Sequence, residues 1–426
     1  MATIPQARIV SKGEVEASEL PERVTVALAE LAGAAKQGLL ALSVGIGLAV
    51  VEEIFQEEVT RLAGPRGRHD PGRTATRHGQ EQRQLTLGGR RVAVSKPRVR
   101  ATTGEELPLR TYRTFASRDL LTEATLDRML AGLSSRRYEA GLEPVGELAS
   151  SSTSRSAVSR RFVTGTQQKL QELFGRDLSG LDLLAIFLDG VNVAEHCIVV
   201  ALGVDSMGRK HPLGLWEGTT ENKTLCTSLL QNLIERGLDP ETPRLYVIDG
   251  GKALRTAIQA CFGKRALVQR CRVHKRRNIL DHLPEQERLL IGRKLDQAWA
   301  ETDADKAETK LRALAKQLDG PHPGAAASLR EGLEETLTVT RLGLPPSLLR
   351  TFKSTNPIES MNSVGRSVTG NVKRWRDGQM VLRWTAAGML EAEKQFRRIV
   401  GYRDLHILKR ALEAHREEVA SARIVA

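Results

Sequence analysis

The pattern of hydrophobic and polar positions divides the chain into helical outer parts and a central part with short apolar runs. Residues 20–63 carry apolar side chains at helical spacing with few helix breakers. Residues 120–174 predict three further helices, separated at Ser134-Ser135 and at the Ser-rich stretch 150–154. From Pro284 to Leu344 the pattern is charged and helical again, and Asn356-Pro357 opens the last helical stretch.

The central part, residues 181–277, predicts a mixed sheet. Strand-length apolar runs follow one another directly at the start and then alternate with helical segments. The predicted strands are 183–188, 197–204, 209–216, 245–248 and 266–269, and the predicted helices are 221–236, 252–262 and one that begins at 273. Three successive strands followed by alternating helices and strands indicate an α/β fold.

Composition and charge narrow the class of partner. Lys and Arg number 64 against 51 for Asp and Glu, a net charge of +13, which favours a polyanionic partner such as nucleic acid. Aromatic residues make up 4%, so base stacking on an aromatic platform is not expected as the main binding mode. The longest uncharged apolar stretch, 37–51, is shorter than the about 20 residues of a membrane span.

Four cysteines are too few for a disulfide framework in a chain of 426 residues. We therefore expect no membrane association and a cytoplasmic location, with association to the nucleoid when the protein acts on nucleic acid.

Basic residues concentrate in a few segments. Residues 64–100 hold ten Arg or Lys and two acids, and 84–94 predict a short hairpin with a Gly-Gly turn. The last of the helices over 120–174 is basic in its N-terminal half, so that segment resembles a helix-turn-helix. Residues 263–279 contain seven basic residues and no acid. A solvated basic surface is the alternative in each case. The expected DNA contacts are Arg90, Arg91, Lys96, Arg98, Arg100, Arg155, Arg160, Arg161, Arg270, Arg272, His274, Lys275, Arg276, Arg277, Lys373 and Arg374.

Three carboxylates are candidate catalytic residues. Asp189 and Asp249 each follow an apolar strand and precede a glycine, so they converge at the sheet edge if their strands are neighbours. An Asp-Gly turn is the simpler alternative. Glu359 lies three residues after Asn356, where a capping box is its structural alternative. Asn362 and Arg366 follow on the same helix face and are further expected DNA contacts.

Three converging carboxylates suit phosphodiester chemistry. Mg²⁺ is held by a few carboxylates together with water and substrate phosphate. Two such ions roughly 3.5–4 Å apart stabilise the attacking and leaving oxygens of a phosphodiester. The chemistry then requires no His or Ser nucleophile.

Four ordered motifs resemble the mutator-type transposases of bacterial insertion sequences, which are DDE transposases with a ribonuclease-H-like core. The similarity spans roughly residues 50–400, and 92–100 resembles the basic strand that precedes the catalytic core of that family. Residues 190–195 differ from the aromatic-and-basic segment of many members. The motifs are Gly214-Leu-Trp-Glu-Gly-Thr-Thr-Glu-Asn, Val247-Ile-Asp-Gly-Gly-Lys-Ala-Leu, Gln269-Arg-Cys-Arg-Val-His-Lys-Arg-Arg-Asn and Ser354-Thr-Asn-Pro-Ile-Glu-Ser-Met-Asn.

The resemblance implies a function in detail. Asp189, Asp249 and Glu359 would be the catalytic residues and the ligands of Mg²⁺, with Mn²⁺ as a substitute. The protein would bind the terminal inverted repeats of its element as a dimer or higher oligomer, cut there, and join the 3′-hydroxyl ends to target DNA. A nuclease without strand transfer and a catalytically defective DNA-binding relic are the alternatives.

Cys271, His274 and Trp216 are further motif residues. Cys271 and His274 supply two of the four ligands that zinc requires, and no second pair with zinc-finger spacing lies nearby, so no zinc is expected. The resemblance implies that they shape the active site or contact DNA; burial at a strand end is the alternative. For Trp216 a core position is favoured over stacking on a flipped base. Glu217 and Glu221 could assist the metals, although a helix cap or dipole partner explains Glu221 more simply.

The predicted organisation has six parts. In order they are an N-terminal helical segment (1–64), a basic β-rich segment (65–118), a helix-turn-helix-like segment (119–178), a ribonuclease-H-like core (179–280 and 350–400), a helical insertion (281–349) and a C-terminal helix (401–426).

Overall fold

The computed structural model describes residues 39–424 except 69, 88–89, 118–119, 133–149, 152–154, 371 and 373. The described residues fall into two compact units. The first extends to residue 162 without 130–132, and the second comprises 130–132 and everything from 163 onward. The division therefore falls inside the predicted helix-turn-helix segment.

The first unit is built from a helix and a long β-hairpin. The helix α1 (Leu39–Ala63) shares one hydrophobic cluster with the hairpin, because Phe55 and Val59 are buried with Val94 and Val99. The hairpin is longer than the predicted one, because its two strands pair from Leu87 with Arg90 at the turn to Ala75 with Ala101 at the open end. The predicted turn residues 88–89 lie outside the described part. The elements that follow α1 are β1 (Ala75–Leu87), β2 (Arg90–Ala101), β3 (Glu106–Leu107), α2 (Arg110–Ser117), α3 (Leu120–Leu130) and β4 (Ser150–Ser151).

Two of the three helices predicted over 120–174 are described. They are α3 and α4 (Arg155–Phe174). The middle helix and most of the Ser-rich turn fall in 133–149 and 152–154, outside the described residues. The helix-turn-helix therefore stays a prediction.

The second unit contains a five-stranded mixed sheet with the order β7-β6-β5-β8-β9. The pairs β5–β6 and β6–β7 are antiparallel, whereas β5–β8 and β8–β9 are parallel. The predicted α/β class and the presence of all five predicted strands are confirmed. The predicted end of the first strand before Asp189 is wrong, because β5 continues to Val193 and both Asp189 and Gly190 pair with β6 inside the strand, where no Asp-Gly turn occurs. The strands are β5 (Leu183–Val193), β6 (His196–Asp205), β7 (Lys210–Gly218), β8 (Arg244–Ile248) and β9 (Ala266–Arg270).

Helices account for most of the remaining second unit. They are α5 (Lys223–Glu235), α6 (Lys252–Phe262), α7 (Arg272–Asp281), α8 (Glu285–Trp299), α9 (Ala304–Leu318), α10 (Pro323–Arg330), α11 (Thr338–Arg341), α12 (Pro346–Phe352), α13 (Asn356–Thr369), α14 (Gly378–Lys394) and α15 (Leu405–Ile424). Short 3₁₀ turns occur at Gly263–Arg265, Glu334–Leu337 and Tyr402–Asp404. No helix of the described ranges is long and apolar enough to cross a membrane.

The central strand β5 is apolar on both faces because helices cover both sides of the sheet. Phe187 packs in one cluster with residues of α12 to α15, including Phe352 and Met361. Ile186 and Leu188 belong to the opposite cluster, formed with α5 and α6. Helices α7 to α10 have a third hydrophobic cluster of their own, which extends to Leu337. Hydrophobic cores on both faces therefore fix the part of the sheet in which β5, β8 and β9 lie side by side.

Candidate active site

Strand register brings Asp189 and Asp249 to neighbouring positions. Leu188 of β5 pairs with Ile248 of the parallel strand β8, and each is followed directly by one of the two aspartates. Ile248 in turn pairs with Arg270 of β9, so Cys271 follows at the same level; its backbone N–H donates to the carbonyl of Ile248 at 2.8 Å. Three motif residues thus lie side by side at one edge of the sheet, as the sequence predicted for the aspartates.

Helix α13 adds Glu359 and Asn362. Its residues Ile358 and Met361 are fully buried in the cluster that contains Phe187, which fixes the helix against β5. Asn362 is 8% exposed, and its Nδ2 donates to Oδ2 of Asp189 at 2.7 Å. This contact corrects the expectation that Asn362 binds DNA, because its amide is engaged with a carboxylate inside the protein.

The electrostatics of Asp189 reflect its neighbours. Burial raises the pKa of Asp189 to about 6, and the negative charges of Asp249 and Glu359 add to this effect. The charge of His274 and the hydrogen bond from Asn362 act in the opposite direction. The negative charges of both other predicted catalytic residues therefore act on Asp189.

These residues fit a hard divalent cation by donor chemistry. Carboxylate oxygens are the ligands that Mg²⁺ prefers, and a cation relieves the repulsion that raises the pKa of Asp189. Throughout the described ranges, no group of three or more His, Cys, Asp or Glu side chains is spaced closely enough to hold a metal ion. Closer approach of the carboxylates would have to accompany binding.

The side chain of Thr355 holds Glu359, a contact that the sequence did not predict. The residue that caps α13 is Thr355 and not Asn356, and the hydroxyl of Thr355 donates to Oε1 of Glu359 at 2.5 Å. The predicted capping box is wrong, because Asn356 is already helical and the bond to Glu359 comes from a side chain. A Thr four residues before the Glu, ahead of Asn-Pro, was the signal that could have indicated it.

Cys271 and His274 surround the same hydroxyl group. The backbone N–H and the hydroxyl of Thr355 both lie 3.4 Å from Sγ of Cys271, and Nδ1 of His274 is 3.3 Å from that hydroxyl. Nδ1 of His274 is 3.8 Å from Oε1 of Glu359. Burial raises the pKa of Cys271, but hydrogen bonds from His274 and Thr355 outweigh it, so the net shift is downward. The hydrogen bond with Cys271 raises the pKa of His274. The pair therefore contacts the group that positions Glu359.

Three basic residues expected to contact DNA are buried instead. Arg272 donates to the carbonyls of Thr336 and Trp299 and to the hydroxyl of Thr340, at 2.8, 3.0 and 2.6 Å. Lys275 is fully buried, and its ammonium group donates to the carbonyls of Ser328 and Glu331.

Arg270 donates to the carbonyl of Glu331 at 3.0 Å, and its guanidinium lies against Gly250, the residue after Asp249. The expectation is corrected for Arg270, Arg272 and Lys275, since buried side chains with these internal bonds cannot reach a phosphate. They attach β9 and helix α7 to the segment from α8 to α11.

Other predicted DNA contacts of the second unit lie nearer the surface. Arg276 is half-buried and pairs with Asp296 at 3.2 Å, whereas Arg277, Arg366 and Arg374 are exposed. Lys373 lies outside the described residues. A DNA role stays a prediction for all of them.

In the first unit the hairpin cations are partly neutralised by acids. Lys96 pairs with Glu81 and Arg98 with Glu106, both at 2.7 Å, and Lys96 also lies over the ring of Tyr112. These pairs weaken the expectation of phosphate contacts there. Arg100 and Arg161 are half-buried, Arg155 and Arg160 are exposed, and the side chains of Arg90 and Arg91 lie outside the described residues.

Trp216 is half-buried: it has a core contact, and it also lines a cavity. Its ring centroid is 5.9 Å from that of Phe174, and it packs against the cluster formed with α5 and α6. The same side chain lines a cavity of about 450 Å³ with Leu170, Gln379 and Leu382. The core contact agrees with the favoured interpretation, and stacking on a base stays untested.

Comparison with known proteins identifies relatives across most of the chain. Residues 22–399 match the family described as "Transposase, Mutator family". The chain is 27% identical over 353 residues to the transposase for insertion sequence element ISRM5 of Rhizobium meliloti, covering 82% of this chain and 86% of that protein. It is 28% identical over 238 residues to the transposase for IS6120 of Mycolicibacterium smegmatis, covering 54% and 71%. A third relative, the transposase for ISRM3 of Rhizobium meliloti, is 27% identical over 316 residues, covering 72% and 74%.

Proposed function

We propose that this chain, which belongs to the mutator family of transposases, transposes its own insertion element. Membership of this family makes DNA its partner and DNA cleavage its class of reaction. The finer proposal is that it binds the terminal inverted repeats, cleaves phosphodiester bonds there and joins the 3′-hydroxyl ends to target DNA. It would do so as a homodimer or higher oligomer on DNA.

One observation carries the proposal: Asp189 and Asp249 follow directly on a paired Leu188 and Ile248, and the charge of Glu359 acts on Asp189. The order in sequence is Asp, Asp, Glu, which the transposase resemblance requires. We assign the sheet and its flanking helices to the ribonuclease-H-like class, which the order β7-β6-β5-β8-β9 supports.

The residues proposed to hold Mg²⁺, or Mn²⁺ in its place, are Asp189, Asp249 and Glu359. When bound there, two such ions would neutralise charge on the scissile phosphate and activate the attacking oxygen. The chain itself contributes position. Asn362 keeps Asp189 in place and favours its ionised form, and Thr355 directs one oxygen of Glu359.

The test is a cleavage and joining assay. The full chain would be incubated with a plasmid that carries its own gene and native flanks, in Mg²⁺, Mn²⁺ or EDTA, beside the Asp249→Asn variant. Cuts at the element boundary together with joined products are expected, and both should be lost in EDTA and in the variant.

Two other outcomes would replace the proposal. Nicks without joined products would indicate a nuclease that lacks strand transfer. Tight, salt-sensitive binding without any cut would indicate a DNA-binding relic.

A further inference from the structure

We infer that Glu221 is a fourth carboxylate of the proposed active site and takes part in metal binding beside Asp249. The inference rests on the proposed function and deepens its site. Glu221 belongs to the motif between the two aspartates and lies just before helix α5, where a cap or a dipole partner was the simpler explanation.

Two glycines leave the space that the Glu221 carboxylate occupies. A Cβ atom on Gly190, the residue after Asp189, would overlap with Oε2 of Glu221. A Cβ on Gly251 would lie 2.6 Å from Oε1 of Glu221 and 3.4 Å from Oδ1 of Asp249. The carboxylate is thus inserted between Gly190 of β5 and Gly251, which follows β8, next to the carboxylate of Asp249.

The capping role belongs to another residue. Asn222 is the N-cap of α5, and its Oδ1 accepts the N–H of Leu225 at 2.9 Å. Glu221 is therefore not needed to cap the N-terminus of α5. The neighbouring acid Glu217 differs, since its Oε1 lies 2.6 Å from Nδ1 of His196.

The charge of Glu221 has no protein counterion among the described residues. Within that part of the chain no hydrogen bond or ion pair involves its carboxylate, although it is half-buried. Two adjacent carboxylates in such a place are stabilised by a cation, and a hard divalent ion is the cation for which the site has oxygen ligands.

The first experiment measures Mn²⁺ binding and DNA cleavage by the full chain. Calorimetric titration of Glu221→Gln should show Mn²⁺ affinity reduced by about tenfold or more, with a similar loss of cleavage. Glu217→Gln is the matched control and should stay within about threefold of the wild type. Wild-type Mn²⁺ affinity in Glu221→Gln would overturn the inference.

A second variant moves the carboxylate without removing its charge. Gly251 has φ of −57°, which alanine adopts readily, so Gly251→Ala introduces no backbone strain. Its Cβ overlaps with the Glu221 carboxylate and only reaches van der Waals contact with Asp249. It should weaken Mn²⁺ binding as Glu221→Gln does, and it should have little further effect in the Glu221→Gln background. Gly320→Ala, where a Cβ meets nothing within 4 Å, is its control. Independent, additive effects would contradict the inference.

Asp249→Asn separates the two proposals. If it loses Mn²⁺ binding while both Glu221→Gln and Gly251→Ala retain it, the proposed function survives and the inference about Glu221 fails. If Asp249→Asn binds Mn²⁺ and cleaves DNA like the wild type, or if the wild type binds no Mn²⁺, both fail.

Discussion

Nδ2 of Asn362 donates a 2.7 Å hydrogen bond to Oδ2 of Asp189, and this bond joins helix α13 to the central strand of the sheet. It favours the ionised carboxylate against burial and against the charges of Asp249 and Glu359, which together raise the pKa of Asp189 to about 6. The side chain expected to contact DNA is thus engaged in holding the first aspartate.

Removing that bond should raise the pKa of Asp189 further, because the ionised form loses a donor. In Asn362→Ala the acid limb of the pH–rate profile for DNA cleavage should move to higher pH, with DNA affinity unchanged. Ser363→Ala, at an exposed neighbouring position, is the control and should leave the profile in place. An unchanged acid limb in Asn362→Ala would remove Asn362 from this role.

The stability of the metal-free protein should depend on the ionisation of Asp189. Its folded pKa of about 6 exceeds the ordinary 3.8, so the folded protein binds a proton that the unfolded chain releases. The stability linked to this proton is complete below about pH 4 and is lost as the pH rises through 6, a difference of about 3 kcal/mol.

Asp189→Asn should remove this loss, so that the variant is the more stable protein at pH 7 in EDTA. Urea unfolding at pH 4.5 and 7 measures it, with Asp281→Asn at an exposed site as control. A wild-type protein and an Asp189→Asn variant with the same pH dependence would show that the carboxylate is not perturbed.

The sequence predicted the part of the site that depends on local pattern. Asp189 and Asp249 end apolar runs, and a succession of strands and helices of this kind places parallel strand ends together. The pairing of Leu188 with Ile248 then brings the aspartates side by side. The capping box at Glu359 failed because Thr355 and Asn356 are both acceptable cap residues and local rules do not decide between them.

Whether each basic residue is buried or exposed could not be predicted from the sequence alone. Arg272 and Lys275 lie in a basic run that predicts solvent-exposed cations, yet their hydrogen-bond acceptors belong to residues 27 to 68 positions later. The segment from α8 to α11 supplies those acceptors only once it is folded. Charge density in a sequence therefore overstated the DNA-facing surface near Cys271.

Substitution of Arg272 and of Arg277 should distinguish a cation that stabilises the fold from one that contacts DNA. Arg272→Met should lower the free energy of unfolding by about 3 kcal/mol or more, because buried acceptors lose a charged donor. Arg277→Met should change that free energy by less than about 0.5 kcal/mol but reduce the slope of DNA affinity against salt by about one. Urea unfolding and binding at several salt concentrations provide both quantities. The reverse assignment of the two effects would contradict the structure.

Thr355 should act through Glu359. Thr355→Val keeps the shape of a fully buried side chain but removes the donor to Oε1 of Glu359, so the cleavage rate should fall about tenfold with DNA affinity unchanged. Thr355→Ser restores the hydroxyl and should restore most of the rate. If Thr355→Val lowers the rate equally in a Glu359→Gln background with residual activity, the hydroxyl does not work through Glu359.

The proposed function depends on a catalytic divalent ion held by the carboxylate of Asp249, and the Asp249→Cys variant tests this role. A thiolate is a softer ligand than a carboxylate and accepts Mn²⁺ better than Mg²⁺. The measurement is the cleavage rate at the element boundary in each metal, with Asp249→Asn as the variant that should be inactive in both. We expect Asp249→Cys to be inactive in Mg²⁺ and to regain cleavage in Mn²⁺. Equal activity of Asp249→Cys in the two metals, or cleavage by Asp249→Asn, would contradict it.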